Sequence, residues 1–570
     1  MARAHAPTQF AVVLLALIVA SIVSVSTFPY MFLYSTGEIA ETLPLSISSF
    51  PNPSKIGQPV LISGLVTDDS GKGQSGLLIT IQYSSDQYEW NSISTVWTDE
   101  LGTYRTELKI SSSGSYYFRA MCGVSTSSCR HLVADFLVAA DGSGDFADIQ
   151  MAIDALPSEG GAVYVRSGIY DLNPEVRYPY KSIVLRSNLI LMGEGVDQTI
   201  IRVFPTKQPA NSNVRVDGIT SLDDIENLTV ENLTLVQNGT PDNKGNSAVY
   251  LRCGNHKNII IRNIKVTDAF GAGIAVPNFN NVVVENCVVD NVWTGVMLSG
   301  GSVGLVRGNT VTNTRGDGLF LRTNGEGLSV ADVVIEDNYL ENIGDVGIDI
   351  TASSSFAPHE RIVARNNTLK KAIVRVSHAI DIQLVNNTVE DGMICIDTGQ
   401  GIPVNITVVA NTVVSSASAG IGFYGAREAI VLNNFVQMRS PQEGVVQSGI
   451  VAAIQGTGLI QNNTILNAAN YGISFGNWGL YGSSNITIRG NIILDFHDIG
   501  IYDDAKRQGG LILIEGNIIK DTNEPFISRY GIRTDFEENK WIIRKNQVYG
   551  GRIDFISAPH SDVYDNIYEP

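Results

Sequence analysis

Three charged residues in the C-terminal half of the chain follow one another at intervals of one sequence repeat, and together they could carry acid–base chemistry. They are Asp349, Arg375 and Asp397. A guanidinium between two carboxylates can hold an anionic group of a ligand while one carboxylate takes a proton from it. These three residues are the first catalytic candidates. The alternative is a surface ion-pair ladder, whose individual pairs stabilise little.

Further catalytic candidates lie in two other places. His378 and Asp381 belong to the shortest repeat, close in sequence to Arg375. A second cluster holds the remaining three candidates, which are His497, Asp503 and Asp504. Neighbouring carboxylates can activate a water molecule for hydrolysis, so this cluster is an alternative centre.

Three side chains are candidates for holding a substrate. Arg322 stands near Asp317 in a Gly-rich turn, where it could contact a ligand or serve only the surface. Trp478 and Tyr481 belong to one loop, where exposed aromatic rings could stack on the faces of sugars. Packing of the two rings against the repeats is the alternative.

These candidates depend on a repeat that positions them. Asn occurs 4 times in residues 1–200 and 40 times in residues 201–570. Ten of the asparagines have apolar residues at positions −5, −3 and +2 and follow one another at intervals of 20 to 29 residues. They are Asn309, Asn338, Asn367, Asn387, Asn411, Asn434, Asn463, Asn491, Asn517 and Asn546.

The repeat predicts an all-β solenoid over 139–570, in which short strands stack on their counterparts one coil away. At each corner the Asn side chain is expected to hydrogen-bond the Asn of the adjacent coil, giving a structural ladder. Residues 146–156 carry apolar side chains at 149, 152, 153 and 156, which predicts an amphipathic helix. That helix would cap the open end of the first coil.

Two segments precede the solenoid. Residues 1–36 are apolar and have no charged residue between Arg3 and Glu38 except His5, which predicts either a cleaved signal peptide or a membrane anchor. Residues 44–137 contain short alternating strands separated by turns, which predicts a small β-sandwich. Cys122 and Cys129, seven residues apart, could form a disulfide in an oxidising compartment.

Two parts of the sequence resemble known families. Asp141-Gly142-Ser143-Gly144-Asp145-Phe146, the cap helix and 160–170 resemble the opening of pectate-lyase-like right-handed parallel β-helices, and 183–201 is similar to mannuronan C5-epimerase modules. The resemblance implies β-elimination or C5 epimerisation of uronic acid polymers, with Ca²⁺ as an open question. Residues 97–104 resemble the immunoglobulin-like modules of prokaryotic surface proteins, which implies a spacer.

One departure from the epimerase pattern concerns its catalytic motif. The epimerases place Tyr-Gly-Phe-Asp-Pro-His at a strand end, and the corresponding segment here is 270–278. No charged residue lies between Asp268 and Glu285, so the epimerase residues are absent from their expected place. Adjacent aspartates, as in the Asp503 cluster, resemble those of the inverting polygalacturonases.

The charge balance of 39 basic against 57 acidic residues gives a net charge of −18, which argues against nucleic acid as a partner. We expect an extracellular protein, secreted or anchored at the cell surface through its N-terminal segment. Its predicted function is to bind or process an acidic, uronate-containing polysaccharide, as a lyase, an epimerase or a glycoside hydrolase. The alternative is a non-catalytic surface-layer, adhesion or glycan-binding protein.

Overall fold

The computed structural model describes residues 42–85, 87–172, 181–203, 216–237, 246–252, 254–440, 445–475, 484–503, 510–523, 527–535 and 540–569. The apolar segment 1–36 lies outside these residues, so the choice between signal peptide and anchor stays a prediction. Within the described ranges, none of the helical structure is long and apolar enough to span a bilayer.

Within the predicted segment 44–137, residues 44–134 form a small module of two sheets with a shared apolar core, whereas residues 136–138 pair with the β-helix. One sheet has the strand order β1-β3-β6 and the other β2-β8-β7-β4-β5. The core joins Ile62 of the first sheet to Ile81 and Phe118 of the second, all three with 0 or 1% of their surface exposed. The strands are β1 (Ser48–Phe50), β2 (Ser54–Lys55), β3 (Pro59–Leu65), β4 (Leu78–Ser84), β5 (Asn91–Trp97), β6 (Thr103–Lys109), β7 (Gly114–Cys122) and β8 (Ser125–Ala134).

The expected disulfide between Cys122 and Cys129 is not formed, because the two residues are out of register on β7 and β8. Cys122 lies opposite Ser125, and Cys129 lies opposite Phe118. Four ladder positions, roughly 13 Å of strand, separate the two cysteines. A disulfide requires Cα atoms within about 7 Å, and both thiols are free.

From Phe136 onward the described residues form a parallel β-helix, and a short capping helix, α1 (Ile149–Asp154), follows its first strand. Its strands are β9 (Phe136–Val138), β10 (Gly161–Val165), β11 (Gly168–Leu172), β12 (Lys181–Val184), β13 (Leu189–Gly193), β14 (Thr199–Val203), β15 (Asp217–Thr220), β16 (Ile225–Gln237), β17 (Val249–Tyr250), β18 (His256–Thr267), β19 (Ala272–Glu285), β20 (Val288–Asp290), β21 (Thr294–Arg307), β22 (Thr310–Thr314), β23 (Leu319–Arg322), β24 (Val330–Glu336), β25 (Tyr339–Ile343), β26 (Ile348–Thr351), β27 (His359–Arg365), β28 (Thr368–Lys370), β29 (Val374–Ser377), β30 (Ala379–Val385), β31 (Thr388–Glu390), β32 (Ile394–Asp397), β33 (Val404–Val409), β34 (Thr412–Ser415), β35 (Ala419–Leu432), β36 (Phe435–Met438), β37 (Ser448–Gln461), β38 (Thr464–Leu466), β39 (Tyr471–Ser474), β40 (Ser484–Arg489), β41 (Ile492–Leu494), β42 (Ile499–Asp503), β43 (Leu511–Glu515), β44 (Ile518–Lys520), β45 (Tyr530–Thr534), β46 (Lys540–Arg544), β47 (Gln547–Tyr549), β48 (Asp554–Ser557), β49 (Asp562–Tyr564) and β50 (Ile567–Glu569).

Each coil in the central part contributes one strand to each of three parallel sheets. Sheet A holds the strands that lead into the Asn corner, such as β24, β27 and β30. Sheet B holds the strands that follow the corner, such as β25, β28 and β31. Sheet C completes the coil and holds β23, β26, β29, β32 and the first half of β35. Apolar side chains from all three sheets fill the interior, for example Ile335, Leu369 and Ile350, each fully buried.

A ladder of asparagine side chains runs along the corner between sheets A and B. Each Asn amide donates from Nδ2 to the Oδ1 of the Asn one coil later and to a strand carbonyl one coil earlier, as Asn411 does to Asn434 at 3.0 Å and to Leu384 at 2.9 Å. The ladder includes all ten asparagines of the repeat and continues to Asn566. At its other end the backbone N–H of Cys287 donates to Asn309 Oδ1.

The capping helix is shorter than the predicted 146–156. Asp148 is its N-cap, because its carboxylate accepts a hydrogen bond of 2.9 Å from the Met151 N–H. Phe146, two residues earlier, pairs in a β-bridge with Val138 and so is not helical. The buried face of the helix is formed by Ile149, Ala152 and Ile153, as the apolar spacing predicts.

The N-terminal module packs directly on the first coils of the β-helix through a buried carboxylate. Glu231 of β16 has 0% of its side chain exposed. Its carboxylate accepts a hydrogen bond of 2.8 Å from Nη1 of Arg130 on β8. Arg262 of β18, one coil later, donates from Nε to the same carboxylate at 2.7 Å. Beside this group, apolar residues Leu132 and Ala162 from the two units share one cluster. The module is therefore held against the solenoid.

Replacing Glu231 with Ala is expected to destabilise this junction by about 3–5 kcal/mol, because two guanidinium groups would lose a shared, buried counter-charge. The matched control is Glu226→Ala, which removes an exposed ion pair with Lys257 and should change stability by about 1 kcal/mol or less. Urea denaturation followed by the tryptophan fluorescence of the full chain, which has Trp90 and Trp97 in the module, measures both changes. Equal midpoints for the two variants would show that the buried carboxylate does not hold the junction.

Candidate functional site

The outer face of sheet C carries the first catalytic candidates. The strand register places Asp349 of β26 directly against Arg375 of β29, one coil apart. The next residue in that column is Cys395, followed by Gly422. The structure thus brings Asp349 and Arg375 side by side, about 4.8 Å apart at the backbone.

Asp397 does not continue this column, which corrects the predicted Asp–Arg–Asp alignment. It pairs with Ser377 and lies two positions further along β32 than Cys395. The reason is a change in coil length: Asp349 follows its corner asparagine by 11 residues, whereas Arg375 and Cys395 follow theirs by 8. Two successive coils are therefore three residues shorter between sheets B and C.

Asp397 nevertheless contacts Arg375 diagonally. Arg375 donates from Nε to Asp397 Oδ2 at 2.8 Å, and the Gly399 N–H donates to Oδ1 at 2.8 Å. Partial burial alone would raise the pKa of Asp397, but these donors outweigh it and hold the pKa below its ordinary value. Asp397 is an anion at neutral pH.

Asp349 has the opposite character. Only 6% of the residue is exposed, and the hydroxyl of Thr351 donates to its carboxyl group. The pKa of Asp349 is raised to about 7, mainly by burial. The nearby carboxylates of Asp317 and Asp345 contribute to this rise, whereas the Thr351 hydrogen bond and Arg375 oppose it. Near neutral pH this carboxyl group therefore exists both with and without its proton.

The surroundings of Asp349 are acidic. The pKa of Asp317 is also raised, mainly by burial, while its carboxylate accepts a hydrogen bond of 3.3 Å from the Val346 N–H. Arg375 is the cation that faces Asp349, and its own pKa is raised by its bond to Asp397. Among the residues that the structure describes, no group of three His, Cys, Asp or Glu side chains is placed to hold a metal ion.

Two residues of this face were not predicted as site residues. Burial raises the pKa of the Cys395 thiol to about 12, and its Sγ lies 3.8 Å from Asp397 Oδ2. The ring of Tyr424 lies across Gly422, where an added Cβ would come within 2.5 Å of it. The sequence signal that could have identified Tyr424 is a glycine two residues before a tyrosine in a sheet C strand.

His378 and Asp381 are not brought to Asp349. His378 occupies the tight turn of the shortest coil, where its Nδ1 lies 3.1 Å from the Ser353 carbonyl and its backbone N–H donates to the Gly401 carbonyl. Asp381 is exposed on sheet A, where it accepts a hydrogen bond of 2.6 Å from Asn405. Both residues serve the turns of their coils.

The remaining predicted residues are dispersed or lie outside the described ranges. His497 is exposed before β42, whereas Asp503 is buried at the other end of that strand, opposite Thr534. Arg322 is exposed on sheet C, one coil from Thr351. Asp504, Trp478 and Tyr481 lie outside the residues that the structure describes.

The raised pKa of Asp349 predicts a pH-dependent stability. The folded state holds the proton of this group up to about pH 7 and the unfolded state only up to about pH 4, so wild-type stability should fall by about 4 kcal/mol as the pH rises between these values. Asp349→Asn should lack this loss and exceed the wild type in stability at pH 8. Thermal midpoints from pH 4 to 8 measure it, with Asp337→Asn, at an exposed position, as the control that keeps the wild-type slope.

Comparison with known proteins gives two family matches. The model described as right handed beta helix region matches residues 217–389 and 372–566, and the model described as pectinesterase matches residues 135–269. The second match ends before Asp317, so it does not include the Asp349 site.

Curated relatives match the same N-terminal part of the solenoid. A pectinesterase/pectinesterase inhibitor of Ficus pumila var. awkeotsang is 34% identical over 140 residues, which are 23% of this chain and 23% of the relative. Pectinesterase 2 of Citrus sinensis is 27% identical over 132 residues, 23% of this chain and 24% of the relative. The chain thus spans about a quarter of the length of these relatives.

Solved structures give weaker likenesses. The mannuronan C-5 epimerase AlgE6 A-module of Azotobacter vinelandii is 17% identical, with a TM-score of 0.39 over 76% of this chain and 99% of that one. The catalytic domain of a GH87 alpha-1,3-glucanase in complex with nigerose is 13% identical, with a TM-score of 0.32 over 91% of each chain. Tailspike protein 3 of bacteriophage CBA120 is 12% identical, with a TM-score of 0.36 over 77% of this chain and 63% of that one.

Proposed function

The chain belongs to the right-handed β-helix family, and from that premise we propose that it processes a polysaccharide by acid–base chemistry on the outer face of sheet C. The observation that supports this proposal most strongly is that two carboxyl groups on one face have pKa values shifted in opposite directions. The pKa of Asp349 is raised to about 7, whereas that of Asp397 is lowered. In such a pair, the carboxyl group with the raised pKa can act as the acid and the one with the lowered pKa as the base.

The surroundings of each carboxyl group decide whether it acts as the general acid or as the general base. Asp349, protonated below about pH 7, donates its proton to the oxygen of the sugar bond that breaks. Asp397, kept anionic by Arg375, takes a proton from the attacking water. Water adds to the sugar carbon and the leaving oxygen receives the proton of Asp349, so a reducing end forms and the two carboxyl groups exchange protonation states.

The substrate class is proposed from the N-terminal match and from local charge. The similarity of residues 135–269 to pectinesterases favours a polymer that contains uronic acid. The acidic groups Asp317, Asp345 and Asp397 would repel a fully ionised uronate, and Arg375, the cation beside Asp349, is already bonded to Asp397. An esterified polymer avoids this repulsion, so we propose that esterified or otherwise neutralised units enter the site.

A second candidate reaction is the β-elimination expected from the sequence, and the presence of Arg375 next to Asp349 favours it. In that reaction the deprotonated form of Asp349 would abstract the C5 proton while the guanidinium stabilises the negative charge that develops at the uronate. The C4–C5 double bond then forms as the C4–O bond breaks, and the leaving oxygen takes a proton from water. Hydrolysis and elimination differ in their products, since only elimination leaves an unsaturated sugar end.

The experiment is to incubate the full chain with polygalacturonan, its methyl ester, alginate and a neutral α-glucan, with and without Ca²⁺. New reducing ends without unsaturated ends, formed fastest from the ester, support the proposal. Unsaturated ends support elimination. Retention of a polymer without turnover would replace both reactions with the non-catalytic, glycan-binding alternative.

A further inference from the structure

A cavity lies where the N-terminal module meets the first coils of the β-helix, far along the chain from the Asp349 site. Its volume is about 470 Å³, and both units contribute to its wall. The module supplies the segment from Phe50 to Pro53, and the solenoid supplies Asp141, Tyr164, Arg166 and Glu194. Ligand sites occur preferentially at such junctions, and the volume is in their range.

The polar groups of this cavity have unused hydrogen-bonding capacity. Tyr164 is only 8% exposed and lines the cavity. Burial raises the pKa of Tyr164 to about 12, so the hydroxyl keeps its proton and can donate it. Arg166 makes one bond in the same part of the structure, from Nη1 to Ser143 Oγ at 3.3 Å, which leaves most of its guanidinium donors available.

The apolar side of the cavity is an exposed aromatic ring. Phe50 has 74% of its surface exposed, which is unusual for a phenylalanine. An aromatic ring beside hydroxyl, carboxylate and guanidinium groups suits a ligand that has both an apolar face and many hydroxyl groups. A sugar ring combines these two properties.

The charges of the cavity select among sugars. Asp141 and Glu194 supply two carboxylates against the single positive charge of Arg166. An anionic ligand would meet a net negative wall, whereas carboxylates accept hydrogen bonds from neutral hydroxyl groups. The balance therefore disfavours a uronate or a phosphate and favours an uncharged sugar.

We propose that this junction cavity, formed by Phe50, Asp141, Tyr164, Arg166 and Glu194, is a binding site for a neutral saccharide. The site is separate from sheet C, so it would hold one glycan while the Asp349 site works on another. It does not depend on the proposed function, because binding here requires no turnover.

The test is a binding measurement on the full chain with trisaccharides of glucose, galactose, mannose and galacturonic acid. At least one neutral trisaccharide should bind with a dissociation constant in the millimolar range or lower. The trisaccharide of galacturonic acid should bind more weakly. Phe50→Ala should weaken that binding at least tenfold with an unchanged thermal midpoint, because this side chain is exposed. Tyr164→Phe, which removes only the hydroxyl, should weaken it as well.

Two controls separate this site from others. Leu101→Ala removes an apolar side chain of the same module that is also 74% exposed, and it should bind like the wild type. Asp349→Asn should also bind like the wild type, even where polysaccharide turnover is lost. Any of three results would overturn the proposal. The first is binding that survives Phe50→Ala but is lost in Asp349→Asn, the second is tighter binding of the galacturonic acid trisaccharide than of the neutral ones, and the third is no binding of any neutral trisaccharide.

Discussion

Asp349→Asn is expected to reduce polysaccharide turnover by about 10²–10⁴-fold, the usual contribution of a general acid. The amide has nearly the same shape as the carboxyl group but cannot supply the proton. The substitution removes a carboxylate whose ionisation burial opposes, so the fold should remain and stability at neutral pH should rise. A loss of activity combined with a gain of stability is the signature of a functional residue in an unfavourable environment.

The pH profile of the wild type gives an independent check on this prediction. Activity should fall as the pH rises through about 7, because Asp349 loses the proton that it donates. On the acid side, activity should persist below the ordinary pKa of an aspartate, because Arg375 keeps Asp397 ionised there. A profile with its alkaline limb near pH 4 would contradict the assignment of Asp349 as the acid.

The matched control is Asp381→Asn, at an acidic residue near Arg375 in sequence but exposed on sheet A. This variant should keep wild-type turnover. Full activity in Asp349→Asn, or equal losses in the two variants, would move the reaction away from the outer face of sheet C.

Asn411→Ala is expected to destabilise the solenoid by about 3–5 kcal/mol. The side chain lies at the middle of the Asn ladder with 0% exposure. Its Oδ1 accepts from the backbone N–H and the amide of Asn387, and its Nδ2 donates to Leu384 and Asn434. Alanine would leave several of these buried groups unsatisfied, at about 1–3 kcal/mol each.

Thr407→Ala is the control for this substitution, since Thr407 belongs to the same coil but faces outward on sheet A and is half-buried. Its effect on stability should be small. Chemical denaturation curves of both variants provide the comparison. A midpoint for Asn411→Ala within error of that for Thr407→Ala would mean that the ladder does not stabilise the stack of coils.

The solenoid could be predicted from sequence because its determinants are periodic and local. The Asn corners repeat along the chain with apolar residues at fixed offsets, and each corner asparagine bonds to the next. Sheet A and the corners are therefore fixed by pattern alone. Sheet C is not, because the number of residues between corner and strand changes from 11 to 8.

That change in length explains why the candidate site was only partly predicted. Asp349 and Arg375 pair as expected, whereas Asp397 lies two residues further along its strand than the repeat predicts. The protonation behaviour of Asp349 depends on its burial and on carboxylates from neighbouring turns, such as Asp317, which no spacing rule reveals. The contact of Arg130 with Glu231 joins residues 101 positions apart and has no local sequence signal.

The most direct test of the central claim is a crystal structure of the Asp349→Asn variant soaked with the polymer that the wild type turns over best. The proposed function predicts a sugar on the outer face of sheet C, with the oxygen of the bond to be broken within hydrogen-bonding distance of position 349 and a sugar unit in contact with Arg375. A polymer bound only elsewhere, with this face empty in a variant that has lost its activity, would contradict the claim.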